Sequence, residues 1–312
     1  MKVCVANAAF SKNTILIEHL NKEFPNSKIN IEGKRLIGVE LIEFLKDFEA
    51  AIIGLEDVNS DLLEKLPNLK FISKFGVGLD NINQVACKSH NIKIGWTGGV
   101  NKRSVAEMSI GYMLMLQRNL YLTSNQLKNQ IWNKNGGFQL SEKTVGIIGF
   151  GNIGKEVREL LKPFNCKILV NDIIDYTHLE SELNILCVTK EYIYKHADIV
   201  TLHTPLTKQT DNLINQQVFN LLKPNSIVIN TARGGIINEN DLENALISKK
   251  ISGAALDVYT IEPYSNVKLL EIPNLISTPH IGGNAFEAVI AMGMSAIKHL
   301  IDFRDNNKKK YE

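Results

Sequence analysis

Arg233, Glu262 and His280 are the residues of this 312-residue chain whose types, taken together, point to one kind of chemistry. An imidazole exchanges protons best near neutral pH. A carboxylate beside it fixes the orientation of the ring. An arginine offers a planar, two-pronged donor that grips a carboxylate and polarises a neighbouring carbonyl. Such a trio suits the interconversion of a carbinol and a carbonyl beside an acid group, where a hydride moves on carbon while a proton moves on oxygen. Singly, each residue is ordinary. His280 follows Pro279 in a loop-like stretch, and Arg233 precedes the turn-forming pair Gly234-Gly235. The trio gains meaning from the elements that position it and from a hydride carrier placed beside it.

The carrier's signature is Gly149-Phe150-Gly151-Asn152-Ile153-Gly154, which follows the apolar run Thr144–Ile148 and opens a helical stretch at Lys155. A bare glycine triplet is weak, but strand–turn–helix context makes it a dinucleotide fingerprint. Gly149 allows the tight turn, Gly151 lets backbone approach a pyrophosphate, and Gly154 lets helix pack on strand. The helix N-terminus then offers free N–H groups to the phosphates. Asp172 ends the next strand-like run, about 20 residues on, where a carboxylate accepts hydrogen bonds from a ribose and repels a 2′-phosphate. Ile173, Ile174 and Asp175 follow it, with no Arg or Lys, so NAD is expected rather than NADP. A second pair, Gly76 and Gly78 in Phe75–Asp80, lacks the third glycine and reads as a tight loop offering backbone N–H groups to a small anion.

Short β-rich runs alternate with helical stretches along the whole chain, which predicts βαβ units and parallel sheets. The first block has strands at Lys2–Ala6, Ile29–Ile31, Ala50–Gly54, Lys70–Lys74 and Ile92–Gly95. A helical region over about Val105–Leu122 is apolar on nearly every side and is expected to be buried, in a core or against a partner chain. The second block has strands at Thr144–Gly149, Lys167–Asn171, Asp198–His203, Ser226–Asn230, Ser252–Val258 and Asn274–Ser277, and a last helix spans Ala285–Phe303. Ligands of an open parallel sheet bind beyond the carboxyl ends of its strands. Those ends carry the fingerprint, Asp172, His203-Thr204-Pro205, Thr231-Ala232-Arg233, Asp257 with Glu262, and His280. Arg233, Glu262 and His280 are therefore expected to converge at one edge. His203, the rival histidine, is assigned to the cofactor side, and His19, His90, His178, His196 and His299 read as surface residues.

Composition narrows the class. Apolar residues make up 44% and charged residues 22%, as in soluble globular proteins. With 35 basic and 33 acidic side chains the net charge is +2, too balanced for a phosphate-gripping nucleic-acid binder. No apolar run is long enough to cross a membrane, and the amino terminus lacks a signal-peptide pattern. Cys4, Cys87, Cys166 and Cys187 are scattered and read as buried free thiols of a reducing cytoplasm, with no metal site expected. The basic run Asn306–Lys310 reads as a solvated terminus.

The sequence resembles the D-2-hydroxyacid dehydrogenase family, and within it the 3-phosphoglycerate dehydrogenase branch. The matching stretches run in the family's order: Gly76–Ile82, Ser104–Glu107, the glycine fingerprint, Val200–Pro205, Asn230–Gly235, Gly253–Pro263 and Pro279–Gly283. The resemblance implies an NAD-dependent oxidoreductase of a 2-hydroxy acid, with Arg233, Glu262 and His280 as its trio. It implies cofactor contacts at Val77, Asn152, Ile153, Asp172, Thr204, Ala232, Asp257 and Gly282, and substrate contacts at Val77, Gly78 and Asn101. The implied fold is α/β, with two doubly wound parallel-sheet domains. A Rossmann cofactor domain, about 99–284, is inserted into a flavodoxin-like substrate domain made of 1–98 and 285–312. Family members are homodimers whose cofactor domains pair through the long helix, which would carry Arg118 toward the partner's active site.

The chain also departs from that branch. Phosphoglycerate enzymes often place an Arg just after the third strand of the outer domain, to meet substrate phosphate, whereas this chain has Ile53-Gly54-Leu55-Glu56. Lys74, Lys102 and Arg103 are the remaining sources of positive charge. The branch's carboxy-terminal regulatory domain has no counterpart here, so feedback through it is not expected. Glyoxylate, hydroxypyruvate or lactate-type substrates stand as alternatives to 3-phosphoglycerate, and an NAD(H)-sensing corepressor-like binding protein as the reading of a different class.

Overall fold

Val3–Val5, Ala50–Ile53 and Phe71–Lys74 are buried along their full length, the pattern of strands covered on both faces. A computed structural model describes residues 1–308 and divides the chain into two compact units, Met1–Asn101 joined by the stretch from Asn284 on, and Lys102–Gly283. The expected solvated basic terminus falls largely outside the described residues.

The first unit holds β1 (Val3–Val5), β2 (Lys28–Ile29), β3 (Ala50–Ile53), β4 (Phe71–Lys74) and β5 (Lys93–Gly95), all parallel, in the order β2-β1-β3-β4-β5. This is the flavodoxin-like order. Alternate strand residues serve opposite faces. Cys4, Ala51, Ile53 and Ile72 pack with Leu41, Leu45 and Leu63. Val3, Val5, Ala50, Ile52 and Phe71 pack with Leu16 and Leu20 and with Ala296 and Leu300 of the helix Phe286–Lys308. Asn13, Asn59 and Asn83 start their helices by accepting from Leu16, Leu62 and Ala86 N–H groups at 3.0–3.1 Å. His299 is not a plain surface residue. Its Nε2 lies 2.8 Å from the Thr97 hydroxyl, and burial lowers its pKa.

The second unit holds β6 (Thr144–Ile148), β7 (Lys167–Asn171), β8 (Leu186–Cys187), β9 (Ile199–Leu202), β10 (Ile227–Asn230), β11 (Gly253–Leu256) and β12 (Leu275–Ser277). The order is β12-β11-β10-β9-β6-β7-β8, all parallel, with the reversal between β6 and β9. This is the Rossmann order extended by one strand. One face buries Val200, Val228 and Ala254 under Ile193, Phe219 and Leu242. The other buries Ile147, Ile199 and Ile229 under Ala106, Ile110 and Val157.

Two features differ from the sequence pattern. Strand β8 has only two residues, too few to show a periodicity. The expected helix over Val105–Leu122 is two helices, Lys102–Gln117 and Leu120–Lys128, broken at Asn119, whose φ is +53°. The first buries one face, including Val105, Ala106, Ile110, Tyr112 and Met113, whereas the second buries no residue.

Candidate active site

The turn after β6 is shaped by its glycines. Gly149 has φ +93°, and a Cβ there would lie 2.6 Å from the His203 carbonyl group. A Cβ on Gly154 would lie 2.2 Å from the Gly149 carbonyl oxygen, so the helix Asn152–Leu161 packs directly on the turn. Gly151 differs from both, since a Cβ there would meet nothing within 4 Å. It caps that helix with no side-chain hydrogen bond, which leaves the first turn, with Asn152 and Ile153, uncovered by a capping side chain. This cradle fits a pyrophosphate, because an open approach leads to helix N–H groups. Beside it, His203 Nδ1 and Thr204 Oγ1 are buried polar atoms without a hydrogen-bond partner among the described residues.

Asp172 closes the next turn. Its Oδ2 accepts from Phe150 N at 2.5 Å and its Oδ1 from Ile174 N at 2.9 Å, so the carboxylate is fixed at the edge of the fingerprint. A cavity of about 430 Å³ opens there, lined by Asp172, Ile173, Ile174, Cys187, Val188 and Thr189 among others. Ile173 is fully exposed and Ile174 more than half exposed. Ile173 and Ile174 enter the sequence reading only as positions without Arg or Lys, and Val188 and Thr189 carry no sequence signal for this cavity. Ile173 and Ile174, directly after the acidic residue, form a small exposed apolar patch at the mouth of this cavity.

His203 is held by Thr201, whose hydroxyl lies 2.9 Å from Nε2, and burial pushes its pKa down to about 3. After β10, Asn230 organises the turn. Its side chain accepts from Ala232 N at 3.0 Å and donates to Arg233 O at 2.8 Å. Thr231 and Ala232 are buried, with the Thr231 hydroxyl 3.2 Å from that of Ser109. Gly234 allows close contact with the next loop, because a Cβ there would strike the Tyr259 carbonyl.

That next loop carries Glu262, whose peptide bond to Pro263 is cis. Glu262 Oε1 accepts from Tyr259 N at 3.0 Å, and Oε2 lies 2.8 Å from His280 Nδ1. The pair is 18 residues apart in sequence and meets because β11 and β12 are neighbours. Asp257, at the end of β11, is buried and accepts from Ile281 N and Gly282 N at 2.8 and 2.7 Å. The fingerprint, Asp172, His203 through Pro205, Thr231 through Arg233, Asp257, Glu262, His280 and Gly282 thus all follow carboxyl ends of one sheet. Lys102 and Arg103 are committed elsewhere, each paired with Glu156 at 3.0–3.1 Å.

Residues 110–282 match the family model described as D-isomer specific 2-hydroxyacid dehydrogenase, NAD binding domain. The chain belongs to the D-isomer-specific 2-hydroxyacid dehydrogenase family. The dehydrogenase is 34% identical over 287 residues to a hydroxypyruvate reductase of Thermotoga maritima, covering 90% of this chain and 92% of that one. It is 36% identical over 258 residues to a D-3-phosphoglycerate dehydrogenase of Methanocaldococcus jannaschii, covering 81% of this chain but 49% of the relative. The structure of a D-lactate dehydrogenase from Aquifex aeolicus, complexed with NAD and lactic acid, matches at TM-score 0.86 and 25% identity, over 99% of this chain and 97% of that one. The dehydrogenase is an NAD-dependent oxidoreductase acting on CH–OH donors.

The first unit contributes separately. Its Gly76–Leu79 loop follows β4, with Gly76 at φ +118° and the Val77 carbonyl accepting from Trp96 Nε1 at 2.8 Å. Asn101 is buried, and its Oδ1 has no hydrogen-bond partner among the described residues. Lys74 is buried, with Nζ donating to Gly54 O and Asn81 Oδ1 at 2.5 and 2.6 Å. Glu56 is buried, its Oε2 accepting from Gly54 N at 2.6 Å.

Proposed function

We propose that the dehydrogenase interconverts a small, unphosphorylated D-2-hydroxy acid, of the hydroxypyruvate or glyoxylate type, with its 2-oxo partner. The contact of Glu262 with His280, at the sheet edge that bears the glycine fingerprint, carries this reading. When bound, NAD supplies or accepts the hydride at C2 of the substrate. Arg233 grips the substrate carboxylate and polarises the adjacent oxygen. His280 delivers a proton to that oxygen during reduction and removes it during oxidation, through Nε2, since Nδ1 faces Glu262. Glu262, anchored on Tyr259 N, keeps the ring from turning and balances its charge when protonated. His203 does not fill this role, because burial keeps it neutral. The fingerprint amides, Asp172 and the His203–Pro205 and Thr231–Ala232 turns are assigned to the cofactor, with Asp257, Gly282 and Val77. Val77, Gly78 and Asn101 are assigned to the substrate.

Two observations support an unphosphorylated substrate. The position just after the third strand, where phosphoglycerate enzymes often carry an Arg, is Leu55-Glu56, with the Glu56 carboxylate buried on a backbone amide. Lys102 and Arg103 are occupied by Glu156. We also assign the protein to the cytoplasm as a homodimer built through its cofactor domain. Four free cysteines support the compartment; Cys4, Cys87 and Cys166 are buried as expected, whereas Cys187, on the edge strand β8, is only half-buried. Exposed Leu127, Ile131, Trp132 and Phe138 support the pairing, on a segment tied back through Phe138 N to Gln117 O and Arg118 Nε to Gly136 O. NADH oxidation across glyoxylate, hydroxypyruvate, pyruvate and 3-phosphohydroxypyruvate tests the substrate. Glyoxylate or hydroxypyruvate should lead by at least about tenfold in kcat/KM over the phosphorylated acid, and the reverse order would overturn the assignment.

A further inference from the structure

His280 sits at φ +53°, a left-handed backbone conformation that is uncommon for a residue with a side chain, and its N–H bonds to the Thr278 carbonyl at 3.0 Å. Such a conformation persists only where the surroundings over-determine it. Here one carboxylate grips the loop on both sides of the histidine. Asp257 Oδ1 accepts from Ile281 N at 2.8 Å and from the Thr278 hydroxyl at 2.5 Å, and Oδ2 accepts from Gly282 N at 2.7 Å. Gly282 fits this grip because a Cβ there would come within 2.8 Å of Oδ2.

The Thr278 hydroxyl has one proton and gives it to Asp257. Its hydrogen bond with the Tyr112 hydroxyl therefore has Tyr112 as the donor. Tyr112 is buried on the helix Lys102–Gln117, and burial raises its pKa, so it remains a donor across the working range. The order is one-directional, from Tyr112 to Thr278 to Asp257 and so to the backbone around His280. We propose that Thr278, backed by Tyr112, is a positioning residue for proton exchange, acting through Asp257 to hold His280 in the attitude in which Nδ1 meets Glu262. This rests on the reading of His280 as the proton-exchanging group. Neither hydroxyl needs to touch the reacting atoms, because a misplacement of about 1 Å remote from the chemistry can cost about a hundredfold in rate.

The test compares Thr278→Val, Thr278→Ser, Tyr112→Phe and His280→Ala by kcat, KM, NADH affinity, solvent isotope effect on kcat and melting temperature. Thr278→Val keeps the shape and removes the donor. Its kcat should fall by about 10–100-fold, with a larger solvent isotope effect because proton transfer becomes slower, and with NADH affinity within about threefold. Thr278→Ser should recover most of the loss. Tyr112→Phe should move kcat and the isotope effect in the same direction by less, and it carries the test should Thr278→Val not fold. If His280→Ala keeps turnover, the acid–base reading fails and the relay with it. If His280→Ala is inactive while the hydroxyl variants keep wild-type kcat and isotope effect, changing only melting temperature, the relay alone is overturned.

Discussion

Replacing Gly151 with alanine separates binding from folding. A Cβ at this position meets nothing within 4 Å, and the residue's φ of −76° lies outside the left-handed region that favours glycine. Alanine is a poorer N-cap than glycine, so stability should fall by about 1 kcal/mol at most. For a domain of this size that is at most about 4 °C in melting temperature. The open space is where the pyrophosphate has to approach the helix amides, so the new methyl group should push the phosphate away from at least one charge-assisted hydrogen bond. Such a bond is worth about 1.5–3 kcal/mol, which weakens NADH binding by about 10–150-fold. Gly154→Ala is the counterpart. Its Cβ would lie 2.2 Å from the Gly149 carbonyl oxygen, a backbone atom that cannot swing aside. Overpacking of this kind costs about 1–3 kcal/mol, against a gain of about 1 kcal/mol from helix propensity. The net effect is a lower melting temperature, because the clash is with main chain. Fluorescence titration with NADH and thermal unfolding of both variants decide the matter. Unchanged NADH affinity in Gly151→Ala would refute the placement of the pyrophosphate.

Cofactor choice and acid sensitivity are both set by residues of the second unit. At equal, sub-saturating concentrations NAD should be preferred over NADP by at least about tenfold, since a 2′-phosphate would face the fixed Asp172 carboxylate, and Asp172→Ala should narrow the ratio mainly by weakening NAD; equal rates in the wild type would contradict this. His203 should make the native state acid-sensitive. Burial holds its pKa near about 3, so its contribution to stability is complete above about pH 6.5 and is lost as pH falls, with a slope of up to about 1.4 kcal/mol per pH unit. Urea midpoints between pH 7 and 5 should show that slope in the wild type and a shallower one in His203→Asn, and an identical slope in the variant would remove the buried imidazole as its source.

How much of the fold and site is legible in the sequence depends on how locally each feature is encoded. The turn glycines and Asp172 act within one βαβ unit, so their spacing alone announces the loop they form. Glu262 and His280 are distant in sequence, yet the segments at the carboxyl ends of successive parallel strands bring them together, because β11 and β12 are neighbours in register. Features that depend on tertiary partners stay hidden. The break at Asn119 falls in the short polar stretch Gln117–Asn119 between apolar runs that both read as helix, and the pairing of Lys102 and Arg103 with Glu156 joins segments about 50 residues apart. Asp257 shows the same limit. Its position suggests a cofactor contact, while its three protein donors, two amides and a threonine hydroxyl, show that it also organises the loop bearing His280.

The central claim is that His280 moves the proton while other residues hold the cofactor. The measurement that tests it most directly is kcat of His280→Ala set beside its NADH affinity. A positioned acid contributes about 10²–10⁴-fold, so turnover should fall by that factor while NADH affinity stays within about threefold. Undiminished turnover in His280→Ala would contradict the claim, and so would loss of NADH binding, which would make the histidine a structural part of the cofactor site.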